Sequence, residues 1–362
     1  MTIAKGRSLR GRNRVSALVA LSVLLVTSAC AGSPSGDAGA QGGDTGEEMI
    51  DVTLTAQKGF VNFPIEVAIA EGLFEKNGLN VTTTYGVGTV ATNALIAGSS
   101  DFSAPAIEHV VEMRAKGNDV KVIVQNQANT PFTIIVLNDV KTPNQDAGYP
   151  KVMQDLKGLT LAVSSFGAGT DNTLRYLLKD AGLDPETDVE IVAIGGPPQQ
   201  IAAMQNGSID GTIAFDPIQG TAVDDLGIAK PILDLRSGEG PDLFNEYAYN
   251  GVSALTSFIE GNPEAVKRMR DAIWEATDFI NDEANRDRVV EIAVATEGVD
   301  KESAESYLDL FSGIFTPNIS KSALDNVNEF LVGAGKISQP VSYDDVIATD
   351  YMPDGLPFPG AK

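Results

Sequence analysis

One pattern restricts the possible folds of this chain more than any other: short β-type runs alternate with helical patterns, and the alternation runs through twice. Residues 51–55 alternate as a strand. Residues 64–76 read as one helix, with proline in its first turn and Asn77-Gly78 as its stop. Residues 81–85 are β-branched and aromatic, hence strand. A short helix over 90–97, a brief strand at 101–103 and a helix from Pro105 to Lys116 follow, each helix closed by a glycine. Residues 120–124 and 132–137 are apolar strands. This order predicts α/β layers with largely parallel sheets.

A second round starts at Val152. It comprises a helical turn, a strand over 159–163, a helix over 170–181, a strand over 189–194, a helix over 199–206 and a strand over 212–215. Residues 245–255 read as extended. Helices dominate from Pro263, over 263–281, 286–295, 301–311 and 321–332. Two α/β rounds and a helical C-terminal part predict two lobes. The first lobe takes residues 50–137 and 236–340, the second takes 138–235, and 341–362 form an irregular tail. The chain is expected to cross near Asn138-Asp139 and to return within 234–241. Two crossings make a hinge, with ligand between the lobes.

The only cysteine, Cys30, follows an apolar run. Lys5, Arg7, Arg10, Arg12 and Arg14 precede that run, which has the basic, apolar, small-residue order of a secretory signal over residues 1–29. Val26-Thr27-Ser28-Ala29-Cys30 resembles a bacterial lipobox, with Thr27 where leucine is usual. The resemblance implies lipidation of Cys30; the other reading is a plain secretion signal with an incidental cysteine. The apolar run is shorter than the ~20 residues of a spanning helix. Residues 31–48 have no large apolar side chain and read with their flanks (30–49) as a flexible tether. The expected location is the extracytoplasmic face of a bacterial membrane, held by lipid.

Without the five basic residues of the leader, 21 basic face 49 acidic residues, a net charge of −28. A polyanion would be repelled, so nucleic acid is excluded as a partner. His109 is the only histidine. Any histidine-based triad or multi-histidine metal site would have to centre on it. It lies in a helical stretch and reads as structural. No cofactor or metal is expected.

Several segments together resemble a known family. They are Asp155-Leu156-Lys157-Gly158, Gly182-Leu183, the run Ala202 to Asp210 and Phe215-Asp216-Pro217, and earlier Gln57-Lys58-Gly59, the run Glu71 to Leu79 and the run Ala94 to Phe102. In order and spacing, from about Val52 to Ile218, these are similar to the substrate-binding proteins of ABC importers that serve sulfonate, taurine and nitrate. Binders of thiamine-precursor pyrimidines are relatives. The resemblance implies a two-lobed type II periplasmic-binding-protein fold. It also implies a monomeric lipoprotein that delivers a small polar organic solute to a membrane permease and its ATPase, and no catalysis. Pyrimidine or other aromatic solutes are the alternative. A biosynthetic enzyme on the same scaffold is a third reading, though the pyrimidine synthases of that kind use a cysteine-rich segment that this chain lacks. A surface sensor or adhesive lipoprotein is a fourth.

The candidate ligand residues lie on loops after strands. Glycine lets backbone N–H groups approach a ligand, and a helix N-terminus favours an anion. Gly88 and Thr89 stand before one helix, Ser164, Ser165, Phe166, Gly167 and Thr170 before another, and Gln199 follows Gly195-Gly196-Pro197-Pro198. Taken singly, such loops also read as ordinary turns and caps. Lys58 reads as an anion partner or as solvent-facing. Gly59, Phe60, Asn62, Pro105 and Gln125 complete the set. Asp216 reads as a ligand acceptor or as the cap of the next helix. Phe60, Phe63, Phe166 and Tyr247 fit either a cleft wall or core. Asp171 would occupy the positive end of its helix, and no arginine falls in these loops. A neutral or zwitterionic ligand therefore stays open beside an anionic one.

Overall fold

The computed structural model describes residues 48–86, 90–311 and 313–352. The leader, Cys30, Gly88 and Thr89 lie outside the described residues. β1 (Ile50–Ala56) leads to α1 (Phe63–Ala70) and α2 (Leu73–Lys76). The single helix expected over 64–76 is split because Gly72 takes the left-handed conformation, φ 63°, which ends one helix and starts the next. β2 (Leu79–Tyr85), α3 (Val90–Ile96), β3 (Phe102–Ala104), α4 (Ile107–Ala115) and β4 (Val120–Ala128) follow. Then come β5 (Thr133–Leu137), β6 (Thr160–Val163), α5 (Gly169–Asp180), β7 (Glu190–Ala193), α6 (Pro197–Gln205), β8 (Gly211–Ala214) and β9 (Ala229–Asp234). The rest is β10 (Ala248–Leu255), α7 (Thr256–Gly261), α8 (Pro263–Asn281), α9 (Arg286–Glu297), α10 (Lys301–Leu310), α11 (Lys321–Gly333) and α12 (Tyr343–Val346). Local chemistry sets several of these ends. Pro263 opens α8, the Asp300 and Ser320 side chains accept the N–H groups of Ser303 and Ala323 at the starts of α10 and α11, and Gly298, φ 70°, closes α9.

Two five-stranded sheets result, in orders β2-β1-β3-β10-β4 and β7-β6-β8-β5-β9. They are mixed, where largely parallel sheets were expected. β1 pairs parallel with β2 and β3, and β6 with β7 and β8. β10 runs against β3 and β4, and β5 against β8 and β9. The cause is the crossing. β5 and β10 are the first strands after the chain changes sheets, so each enters its sheet from the edge where the parallel strands end. Residues 133–137 pair in the second sheet, so the chain crosses within 129–132, ahead of the expected Asn138-Asp139. It returns between β9 and β10.

The first sheet is packed by α1, α8, α9 and α10, with Leu54, Phe63, Phe102, Met269 and Ile273 fully buried. α11, like the other helices after Pro263, packs on the first lobe, against α4 and β10, and it also reaches the second lobe. Its Phe330 ring lies 5.2 Å from Tyr176 of α5, in the second lobe, and its apolar face also shares a core with α4. One apolar core therefore runs behind both sheets. The expected irregular tail is partly ordered: the backbone N–H of Ala348 donates to the Val122 carbonyl, and Val346 and Ile347 are buried beside β4. No helix among the described residues is long and apolar enough to cross a membrane.

Candidate functional site

The parallel strands of both sheets point their carboxyl ends at the region where the chain crosses, which is where ligands bind in α/β folds. In the first lobe this edge carries residues 57–62, 86 and 105–108. In the second it carries 164–170, 194–198 and 215–220. The lobes touch there. A Cβ placed on Gly169, the first residue of α5, would lie 3.5 Å from the Phe132 ring and 4.0 Å from the Glu108 carboxylate oxygen Oε2.

Glu108 is the residue that the sequence reading missed. It sits in the first turn of α4 and is almost fully buried. Oε1 accepts a hydrogen bond from the Tyr247 hydroxyl at 3.1 Å, and Oε2 has no partner among the described residues. Burial pushes its carboxyl up to about 7, against the Tyr247 hydrogen bond, which favours the charged form. Phe132, which borders the same Gly169 position, stands edge-on to Tyr249 at 5.7 Å and to Phe215 at 6.5 Å. An acid beside Ile107 and Val110-Val111, just past a strand's carboxyl edge, was the available signal.

Asn62 holds the first-lobe loops together. Its amide donates to the carbonyls of Gln57, at 2.9 Å, and Ala104, at 3.4 Å. Its oxygen accepts from Asn126, at 2.8 Å, and Asn250, at 3.1 Å. The loop after β1 and the three strands β3, β4 and β10 are thus tied together by one buried amide. Gln125 is buried on β4 and donates to the Gln127 carbonyl, at 2.9 Å, leaving its own oxygen unpartnered. The Pro105 carbonyl accepts from Gly251, at 3.4 Å, tying the end of β3 to β10. Gly59 takes φ 127°, turning the chain so that Phe60 drops into the core against Phe63, 5.2 Å, and Tyr307, 5.1 Å. Phe60, Phe63 and Tyr247 are therefore core, whereas Phe166 is 63% exposed. The Lys58 ammonium rests 4.8 Å from the centre of the Tyr85 ring. Near it, burial and the Glu66 charge push the Glu297 carboxyl up to about 7, and Lys58 opposes them.

In the second lobe, the Ser164 and Thr170 hydroxyls are 2.8 Å apart, and Thr170 also accepts the Ser164 N–H. Gly167, φ 79°, donates its N–H to Asp171, whose other oxygen takes Arg175 at 2.6 Å. Ser165 is exposed. No side chain caps α5, and the N–H groups of a helix's first turn have no intrahelical partner. Gln199 is exposed, and its neighbour Gln200 is the inward one. Gln200 donates to the Gly195 carbonyl and accepts from Thr212 Oγ1, both at 2.7 Å. The step of 100° per residue turns one glutamine in and the other out.

Asp216 is buried at the centre of a small ionic group. Its oxygens take Gly220 N–H at 3.2 Å and Arg236 Nη1 at 3.0 Å. Arg236 also holds Asp234, at 2.7 Å. The Tyr307 hydroxyl, from α10 of the first lobe, faces the same carboxylate and lies where a Cβ on Gly220 would stand. Burial pushes the Asp216 carboxyl up to about 6, with Arg236 opposing. Asp216 accepts the Gly220 N–H, but the N-cap of the segment 220–225 is Gln219 and no side chain caps it, so the cap reading of Asp216 is not what the structure shows. Arg236 was missed because it lies after β9, outside the loops read from sequence. His109 is buried on α4, 4.0 Å from Glu112.

Sheets, crossings and cleft define a two-lobed protein of the periplasmic-binding-protein fold. Among solved structures, the aliphatic sulphonate-binding protein SsuA of Escherichia coli matches with TM-score 0.66 at 19% identity, over 83% of this chain and 98% of that one. The nitrate-binding protein NrtA of Synechocystis PCC 6803 matches with TM-score 0.63 at 16%, over 84% and 87%. The desulfurization enzyme DszB shares the fold, TM-score 0.60 at 18%, over 83% and 97%. By sequence the chain belongs to the NMT1-like family, whose description matches residues 46–294. It is 28% identical over 298 residues to a candidate binding protein of Brucella abortus, covering 79% of this chain and 86% of the relative. It is 27% identical over 282 residues to the nitrate/nitrite binding protein NrtA of Synechococcus elongatus, covering 70% and 60%.

Proposed function

We propose that this protein is an extracytoplasmic solute receptor, moored by lipid on Cys30, that hands a small polar organic solute to an ABC permease and its ATPase. The observation that carries the reading is the cleft. Strand ends from two sheets converge on it, and Glu108 and Tyr307 of one lobe meet Gly169 and Asp216 of the other. Solute between such surfaces would draw the lobes together and favour the closed form. The family and the named binding proteins support transport over catalysis. So does the chemistry at hand, since His109 is packed against Glu112 on α4 rather than set beside a hydroxyl nucleophile. Nitrate, nitrite and sulfonates are the solutes suggested by the relatives. The rings of Phe132, Tyr249 and Phe215 favour a second reading, a pyrimidine or other aromatic solute.

Two experiments test this. In cells, Cys30→Ser releases the protein from membranes; unchanged retention refutes the lipid anchor. A thermal-shift screen of nitrate, taurine, sulfonates, pyrimidines and small aromatic acids raises the melting temperature with the right solute. Silence across the whole panel counts against the reading.

A further inference from the structure

We propose that Tyr307 and Gly220 form a latch that holds the two lobes closed, Tyr307 reaching across from the first lobe and Gly220 forming the notch that receives it. The latch rests on the solute-receptor reading and deepens it, by naming two residues that position the lobes. Tyr307 lies on α10 in the first-lobe core, with its ring edge-on to Phe60 at 5.1 Å. Its hydroxyl leaves that core, enters the second lobe beside Gly220 and faces Asp216. Asp216 is fixed to meet it, by the Gly220 N–H at 3.2 Å and by Arg236 at 3.0 Å. Tyr307, Gly220 and Asp216 are all buried.

Gly220 is not a glycine for the sake of its own backbone, which stays out of the left-handed region that favours this residue. The opposite lobe imposes it. A Cβ at Gly220 would stand where the Tyr307 hydroxyl lies, with the ring carbon Cζ only 2.9 Å away. Gly169, also at the lobe contact, is different: a Cβ there would meet Phe132 at 3.5 Å, an ordinary van der Waals contact. Gly220 also opens the π-helical segment Gly220–Asp225, a rare conformation that recurs at functional sites. The first-lobe core around Tyr307 and the small second-lobe core around Ile218 and Ala222 remain separate. The surfaces can therefore part along the latch without opening either core. Every group in the latch belongs to the protein, so it favours closure whichever solute is bound, and also with none.

Small-angle X-ray scattering of the whole soluble chain, without solute, reads lobe closure in wild type and variants alike. Gly220→Ala should enlarge the radius of gyration, because the added methyl wedges the lobes apart, while a cooperative urea transition shows that the chain still folds. Tyr307→Phe removes the hydroxyl and keeps the ring on Phe60. It should shift the radius in the same direction, with the closed-to-open ratio lowered roughly 2- to 10-fold, the range of one net hydrogen bond. It carries the test if the alanine variant folds poorly, and a radius equal to wild type then overturns the latch. Joining Gly220→Ala with Tyr307→Leu makes room for the methyl, and should return the radius to that of Tyr307→Leu alone. A Gly220→Ala radius equal to wild type, or a double variant that stays larger than Tyr307→Leu, overturns the latch. The solute-receptor reading then stands if nitrate, ethanesulfonate or cytosine raises the melting temperature of the wild-type chain, and falls with the latch if none does.

Discussion

Replacing Glu108 with glutamine should make this protein more stable at alkaline pH. The Glu108 carboxyl is raised from 4.5 to about 7, chiefly by burial. A raised carboxyl binds its proton more tightly folded than unfolded. Its contribution is complete below the unfolded value, near 4.5, and is lost as pH climbs through about 7. The groups facing it are Tyr247, which donates to Oε1, Tyr249, Glu112 and, more remotely, Lys336. One pKa unit is worth about 1.4 kcal/mol, so wild type should lose about 2 kcal/mol at this site between pH 5.5 and 8. Glutamine does not titrate and still accepts from Tyr247. Other titrating groups are common to both proteins and cancel in the difference. For a fold of this size the change corresponds to about 4 °C in Tm. Urea or thermal melts of both proteins at the two pH values measure it. A wild-type-minus-variant difference that stays constant across the range would refute the burial argument.

Arg236→Ala should destabilise the fold by about 3–5 kcal/mol, because it leaves Asp216 buried without its partner; urea unfolding reads this directly. Tyr307→Phe should weaken binding of whichever solute the screen identifies by several-fold, with little loss of stability, since the hydroxyl reaches the opposite lobe while the ring stays packed on Phe60. Equal affinity for both proteins would remove Tyr307 from lobe closure. Asn62→Ala should cost about 2–4 kcal/mol, as four hydrogen bonds to three other segments depend on its amide.

The sequence carried the layered α/β class because strands and helices announce themselves locally, by periodicity and by glycine stops. Strand direction is not local. The apolar run at 132–137 reads the same in either sheet, and only its pairing with β8 and β9 assigns it to the second. For the same reason the crossing was misplaced by several residues. The site was legible at the level of loops. Thr170 binds Ser164 of its own loop, which the sequence also named, whereas the partners of Asn62 and Asp216, namely Asn126, Asn250 and Arg236, are distant or not signalled by any motif. Glu108 was hidden because an acidic residue in a first helical turn ordinarily reads as dipole chemistry. Its significance comes from Gly169, 61 positions on, brought opposite by the hinge.

The most direct test of the whole account is to incubate the purified chain with the solute that raises its Tm, release the bound fraction, and identify it by mass spectrometry. A solute receptor returns the same molecule, unchanged and at one per chain. Recovery of a chemically altered product, or of nothing bound at saturating concentration, would contradict it.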